Sequence, residues 1–344
     1  MPRVLYAIQG TGNGHLSRAL DIVPLLQQRV SQLDILVSGP PADLALPFSV
    51  RYQSHGLGFI FGKKGGINFV KTFWQLNSAA FVREMRQLPV EDYDLVINDF
   101  EPVSAWACRL RHVPCVALSH QSAVLSAYAP RPQTDDPLGR AVLRHYAPAT
   151  AHYGFHFERY EAGIHTPVIR RQVRELAPRN EGHYTVYLPA FDEATLVKRL
   201  RYLSRTTRWE VFSKHSYQES EHGNVRVRPV SGAAFTDSLA RSAGVLCGAG
   251  FETPAEALFL RKKLLVIPMK NQYEQVCNAA TLAHLGVPVV KSLKDKHLAT
   301  LDHWLQNGRP VPVDYPDETG QVIDKLLLEQ LQAGVSPTPL VLPG

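Results

Sequence analysis

The sequence predicts an α/β protein of two Rossmann-like domains facing each other across a cleft. Short apolar strands alternate with segments of helical period, the alternation starts afresh in the second half, and each half carries a glycine-bearing loop directly after a strand. A length of 344 residues accommodates two cores, and 45% hydrophobic with 20% charged residues is the composition of a folded chain.

In the first half, residues 4–8 form a buried strand that runs into Gly10-Thr11-Gly12-Asn13-Gly14. Leu16, Ala19, Leu20, Val23 and Leu26 then share one face of a helix. A strand is expected at 33–37, a longer helix at 69–88, a strand at 94–98 ending in Asp99, a helix at 103–110 and a strand at 114–119. Residues 160–171, with Gly163 and Pro167, read as a linker. Beyond it, strands at 184–188, 209–212, 225–230, 244–247 and 264–268 interleave with helices at 193–203, 235–241, 254–260 and 274–285. An amphipathic helix at 317–332, with Val322, Ile323, Leu326, Leu327 and Leu331 on its apolar side, precedes a tail rich in Pro and Leu. The expected domains are 1–162 and 166–312, followed by the helix and tail at 313–344. Doubly wound sheets bind ligands at the carboxyl ends of their strands, so two facing units place a site in the cleft between them.

No run approaches the roughly 18–20 apolar residues that span a bilayer. The N-terminus reads as a strand and not as a signal peptide, so a cytoplasmic location is expected. Cys108, Cys115, Cys247 and Cys277 form no C-x-x-C pair and read as small buried hydrophobes, not as disulfide or zinc ligands. A net charge of +6 suits an anionic partner such as phosphates or an acidic membrane surface. The basic residues are scattered, without an RRM, zinc-finger or basic-helix signature, so nucleic acid is not the expected partner.

Four segments carry candidate chemistry. Glycines in Gly10-Thr11-Gly12-Asn13-Gly14-His15 allow a tight turn at a helix N-terminus, which favours negative charge. The loop departs from the dinucleotide fingerprint, because His15 holds the third glycine position and no acidic residue closes the second strand. His15 has the chemistry of a base near neutral pH, or else is structural. Asp99 can hold a nearby imidazole in one tautomer, or cap the helix after Pro102. In Gly248-Ala249-Gly250-Phe251-Glu252-Thr253-Pro254, a Thr cap and an early Pro open a helix whose N–H groups and dipole suit a pyrophosphate. Glu256 either completes a capping box with Thr253 or accepts hydrogen bonds from ribose. The polar run from Pro268 through Lys270, Glu274 and Gln275 to Asn278 suits a polyhydroxylated ligand, or is a solvated loop.

Together these segments resemble the GT-B glycosyltransferases. Gly250-Phe251-Glu252-Thr253 with Glu256, then Pro268 and Glu274-Gln275-x-x-Asn278-Ala279, is similar to the donor motif of plant and bacterial UDP-sugar transferases. It is similar also to that of the enzyme that adds N-acetylglucosamine to lipid-linked peptidoglycan precursors. Gly12-x-Gly14-His15 with Arg18-Ala19 resembles the acceptor-side loop of the same superfamily, nearest to a set of glycosyltransferase-related bacterial and archaeal proteins.

The resemblance implies a nucleotide-sugar co-substrate of the UDP-sugar type, with no cofactor and no metal. Glu256 would bind ribose, Gly248, Ala249, Gly250, Phe251, Glu252 and Thr253 would surround the diphosphate, and Phe235 would lie beside the nucleobase. Glu274 and Gln275 would contact the sugar hydroxyls. His15 would deprotonate an acceptor hydroxyl, paired with Asp99, in an inverting displacement. The last helix would cross back to the first domain. One departure stands out: plant-type transferases carry a histidine at Gly248, and its loss leaves backbone amides with Lys214 or Lys270 to offset the diphosphate. Alternatives on the same fold are a sugar-nucleotide epimerase or hydrolase and a non-catalytic nucleotide-sugar-binding protein. The acceptor is unidentified. Phe59-Ile60-Phe61-Gly62-Lys63-Lys64, followed by Phe69, Phe73 and Trp74, mixes aromatic with basic residues. That mixture suits peripheral contact with the inner face of a membrane and a lipid-linked acceptor, as in cell-envelope or glycolipid biosynthesis, or else a loop and a core-facing helix.

Overall fold

The structure, a computed structural model, describes residues 2–11, 13–40, 46–57, 78–134 and 136–332. The first sheet holds β1 (Arg3–Gln9), β2 (Gln32–Ser38), β3 (Tyr52–Ser54), β4 (Leu95–Asp99), β5 (Cys115–Ser119), β6 (Ala151–Phe155) and β7 (Ile164–His165). Its strands are all parallel, in the order β3-β2-β1-β4-β5-β6-β7. The second sheet holds β8 (His183–Tyr187), β9 (Arg208–Ser213), β10 (Ser220–His222), β11 (Val225–Pro229), β12 (Gly244–Gly248) and β13 (Lys263–Ile267). The order there is β10-β11-β9-β8-β12-β13, with β10 antiparallel to β11 and the rest parallel. These are the two parallel-sheet units expected from the sequence.

Strand order reverses between β1 and β4 in the first sheet and between β8 and β12 in the second, and the loops leaving those strands diverge there to leave a crevice. Register then decides which residues meet. Ile8 pairs with Asp99, which sets that carboxylate level with the start of the first glycine loop. Gly248 pairs with Ile267, which lays the loops after β12 and β13 side by side. Central strands β4 and β5 are buried along their whole length, as parallel strands covered on both faces must be.

One apolar cluster joins the two units. It runs from Tyr6 and Ile8 through Phe155 and Phe157 to Phe251, Ala255 and Leu258, and on to Val322, Ile323, Leu326 and Leu327 of the Thr319–Gln332 helix. That helix does cross back to the first domain: Arg29 donates from Nε and Nη2 to Asp324 at 2.6 and 3.1 Å, and Tyr153 donates from its hydroxyl to Glu329.

Several elements differ from the sequence reading. Strands β3, β6 and β7 and the helices His120–Val124, Pro137–His145 and Leu298–Asn307 were not anticipated; they are short, and most carry too many polar residues to show a clean period. Strand β7 lies within the stretch read as a linker. Of the helix expected at 69–88, Ser78–Gln87 is described, and residues 58–77 lie outside the described residues, as do Phe59 to Trp74 of the aromatic and basic run. All four cysteines are buried and free. Among the described residues no helix is long and apolar enough to cross a membrane.

Candidate active site

A cleft of about 1220 Å³ opens between the carboxyl ends of the two sheets. Its first wall presents Asn13, Gly14, His15 and Phe100; the second presents Gly248, Gly250, Phe251, Glu252, Thr253, Glu256, Glu274, Gln275, Phe235 and Lys214. Thirteen of the sixteen residues singled out for chemistry thus line one cavity. Asp99 lies directly behind His15 and is fully buried. Ala249 is fully buried too, and its carbonyl accepts from Asn278 Nδ2 at 3.1 Å, so it holds the loop to the next helix. Gly12 lies outside the described residues.

The first wall is built by close backbone approach. Gly10 N donates to Ser38 O at 2.6 Å, and a Cβ at Gly10 would stand 2.6 Å from that oxygen, so only glycine lets β1 turn here. Gln9 braces the turn, donating to Thr11 Oγ1 and Tyr146 Oη and accepting from Ser38 Oγ. The Asn13–Gln27 helix then carries His15, whose Nδ1 stands 2.8 Å from Asp99 Oδ1, at hydrogen-bonding distance. Asp99 does not cap the following helix. Glu101 does so instead, accepting from Val103 N and Ser104 N, and the tight turn between them forces Phe100 to φ +57°. That turn brings the Phe100 ring into the cleft, nearly parallel to the imidazole of His15 at 6.4 Å between centroids.

Asp99 has a second partner. Arg18, one helical turn after His15 and equally buried, donates to it from Nε at 3.2 Å and from Nη2 at 2.7 and 2.8 Å. Burial pushes the Asp99 carboxyl up, but Arg18 and His15 overcome it and hold the group below its usual range. The guanidinium continues across the cleft, where Nη1 donates to Glu252 of the second domain. There burial wins over Arg18 and carries the Glu252 carboxyl to about 7.

The second wall corrects two local expectations. Its helix begins at Glu252, not after a Thr253 cap, and no side chain caps its N-terminus. Nor does Glu256 complete a capping box: Arg170, in the segment between the domains, grips it from Nε at 2.5 Å and Nη2 at 2.8 Å. The uncapped end lines the cleft with its N–H groups available to an anion. Gln275 accepts from Met269 N at 2.9 Å, and Glu274 accepts from Gln121 Nε2 of the first domain at 3.0 Å. Phe235 packs edge-on against Phe212 and tilted against Tyr187. Lys214 and Lys270 stand exposed on the rim. Among the described residues no group of three or more His, Cys, Asp and Glu side chains has the geometry to hold a metal ion.

Sequence reasoning named Arg18 only as part of the acceptor-side loop, without a role, and assigned none to Arg170, His120 or Gln121. Arg18 carried a signal, since a charge flanked by Leu16, Ala19 and Ile22 on the buried helix face needs a partner. His120 and Gln121 follow β5 directly, at the same kind of strand end that singled out Asp99. His120 stacks on Phe251 with centroids 3.8 Å apart and contacts Asn278 Oδ1 at 2.7 Å, locking the glycine loop against the first domain.

The arrangement has parallels among known proteins. Structurally, the chain is similar to a UDP-glucosyltransferase from Polygonum tinctorium, with a TM-score of 0.59 and 14% identity over 97% of this chain and 99% of that one. The Arabidopsis thaliana protein UGT89C1, complexed with UDP-L-rhamnose, gives a TM-score of 0.59 and 14% identity over 96% and 99% of the two chains. The glycosyltransferase SnogD from Streptomyces nogalater gives 0.52 and 13% over 96% and 100%. At such identity these share the fold, the GT-B arrangement. No curated protein matches the sequence. Residues 2–308 match the family described as Glycosyl transferase family 1. With nearly the whole chain inside that match, the protein belongs to glycosyl transferase family 1 and is a glycosyltransferase of the GT-B fold.

Proposed function

We propose that this enzyme moves a sugar from a UDP-sugar to an acceptor hydroxyl by direct displacement, with inversion at the anomeric carbon. The observation that carries the reading is the His15–Asp99 contact of 2.8 Å on one wall, opposite an uncapped helix start on the other. With Nδ1–H held by Asp99, the imidazole keeps a lone pair on Nε2 to take the acceptor proton. The acceptor oxygen then bonds to the anomeric carbon as the bond from that carbon to the diphosphate breaks, and the diphosphate leaves with the electron pair. Backbone N–H groups at Gly250 to Thr253, the positive end of the Glu252–Phe259 helix and the rim lysines Lys214 and Lys270 would offset the departing charge. This account assigns the step to no metal and no cofactor.

Glu274 and Gln275 would hold the sugar hydroxyls, and Phe235 the nucleobase. Glu256 would share ribose with Arg170, since each carboxylate oxygen has a second lone pair beyond its contact with the guanidinium. That one structural neighbour is described as complexed with UDP-L-rhamnose supports this class of donor. We place the enzyme in the cytoplasm. Contact with an anionic membrane and a lipid-linked acceptor rest on the Phe59 to Trp74 run, and co-sedimentation with anionic vesicles at low and high salt tests that part. A thermal-shift panel of nucleotide sugars tests the donor. UDP-sugars should raise the melting point, by an amount equivalent to about 2.7 kcal/mol at a hundredfold excess over Kd. No shift with any nucleotide sugar contradicts the reading, and an epimer formed without acceptor replaces it with an epimerase.

A further inference from the structure

A single guanidinium connects the two walls of the cleft. Arg18 reaches Asp99 through Nε and Nη2 and Glu252 through Nη1, so it touches the carboxylate that holds His15 and the first residue of the facing helix at once. Its side chain is 2% exposed. The two domains are closed tightly here: a Cβ added to Gly14 would come within 3.3 Å of Glu252 Cγ.

Arg18 Nη2 also stands 3.2 Å from His15 Nδ1, the nitrogen that lies 2.8 Å from Asp99. One nitrogen cannot serve both contacts. If Nδ1 donates to Asp99, Nε2 has a lone pair and can act as the base. If Nδ1 accepts from Arg18, the proton sits on Nε2 and the base is disabled. Which state holds depends on where the guanidinium is drawn, and Glu252 draws it by its far nitrogen. Among the described residues, the charged and titratable groups around His15 are Arg18 on its own helix, Asp99 at the end of β4, Tyr6 on β1 beside Asp99, and Glu252 from the facing domain. Only Arg18 is a cation, and it touches both carboxylates.

We infer that Arg18 is a positioning residue for the transfer reaction: held between Asp99 and Glu252 of the facing domain, it makes the base-ready tautomer of His15 conditional on the two walls being closed. The inference rests on the reading of His15 as the base. It identifies a cross-domain contact through which opening and closing of the cleft governs that base.

The test reads His15 directly and needs no substrate. Nitrogen-15 NMR of the full chain labelled at histidine reports the tautomer, with the His15 signals identified by their loss in His15→Gln. In the unaltered chain Nδ1 carries the proton of the neutral ring. Arg18→Gln leaves Asp99 as the partner of Nδ1, so the neutral ring keeps its proton on Nδ1 whether or not Glu252 is present. Glu252→Gln keeps the Arg18–Asp99 contact but frees the guanidinium to turn toward Nδ1, so the neutral ring becomes a mixture of tautomers. Arg18→Lys, which keeps the charge but loses the planar fork, behaves like Glu252→Gln. If Arg18→Gln does not fold, Arg18→Lys and Glu252→Gln carry the test alone. An unchanged tautomer in Glu252→Gln, or a mixture that persists when Arg18→Gln is added to Glu252→Gln, overturns the inference. Failure of the base reading is separate: it is seen as turnover that survives His15→Ala, whatever the spectra show.

Discussion

Arg170 and Glu256 form the most consequential pair outside the reacting centre, because both are nearly fully buried and two nitrogens meet two oxygens. Arg170→Met should cost about 3–5 kcal/mol of stability, since it strands the Glu256 carboxylate without water or partner. Glu256→Gln leaves a neutral amide and should cost less, while weakening donor binding if ribose is held there. Calorimetric unfolding with and without UDP-sugar separates the two effects. Glu252 gives a second prediction, with its sign set by burial. Its carboxyl rises from 4.5 to about 7, so the folded chain binds more protons than the unfolded one in that window. Stability from this group is therefore fully present below about 4.5 and is lost as pH rises through about 7. The melting-point advantage of the unaltered chain over Glu252→Gln should shrink across that range, and a constant difference would refute it. His15 and Asp99 were legible because each ends or follows a strand. Arg18 was not, since its partners lie 81 and 234 residues away and nothing local announces them.

Strand ends and the loops that leave them supply much of the cleft, with helix residues such as Leu143, Thr195 and Phe235 completing it. Gly10 follows β1 and Gly248 ends β12, yet they differ physically. A Cβ at Gly10 would meet Ser38 O at 2.6 Å, whereas one at Gly248 would meet nothing closer than Gln275 Oε1 at 3.6 Å. Gly10→Ala should therefore cost on the order of 2 kcal/mol through forced backbone shifts. Gly248→Ala should change stability by less than about 1 kcal/mol. Urea denaturation of the two variants checks the contrast. Strands such as β1, β4 and β12 were readable because near-continuous apolar runs mark a buried parallel strand. Strand β6 was not, because His152 and Gly154 interrupt Ala151–Phe155, and β7 has only two residues. The helix expected at 254–260 behind a Thr253 cap starts instead at Glu252, and Glu256 pairs with Arg170 rather than reaching back to the helix end.

At the scale of the whole molecule, the Thr319–Gln332 helix binds a second-domain chain back onto the first. It buries Val322, Ile323, Leu326 and Leu327 in the cluster that joins both domains. Ending the chain before Thr319 would remove those side chains and the burial each contributes, about 1.5–3 kcal/mol apiece, a loss comparable to the 5–15 kcal/mol that holds most proteins folded. Such a truncation should lose cooperative unfolding, which a calorimetric scan would reveal. The overall plan was legible in the sequence: the repeated alternation of strands and helices, the restart near Tyr184 and the amphipathic last helix all recur in the structure. The contacts across the cleft were not, because Gln121 with Glu274, His120 with Asn278 and Arg18 with Glu252 pair residues of different domains. The most direct measurement of the central claim is turnover of a UDP-sugar by the unaltered enzyme and by His15→Ala, with donor affinity measured in parallel. The account predicts a loss of between about 100-fold and 10,000-fold in kcat with donor affinity unchanged. Turnover by His15→Ala at the rate of the unaltered enzyme would contradict it.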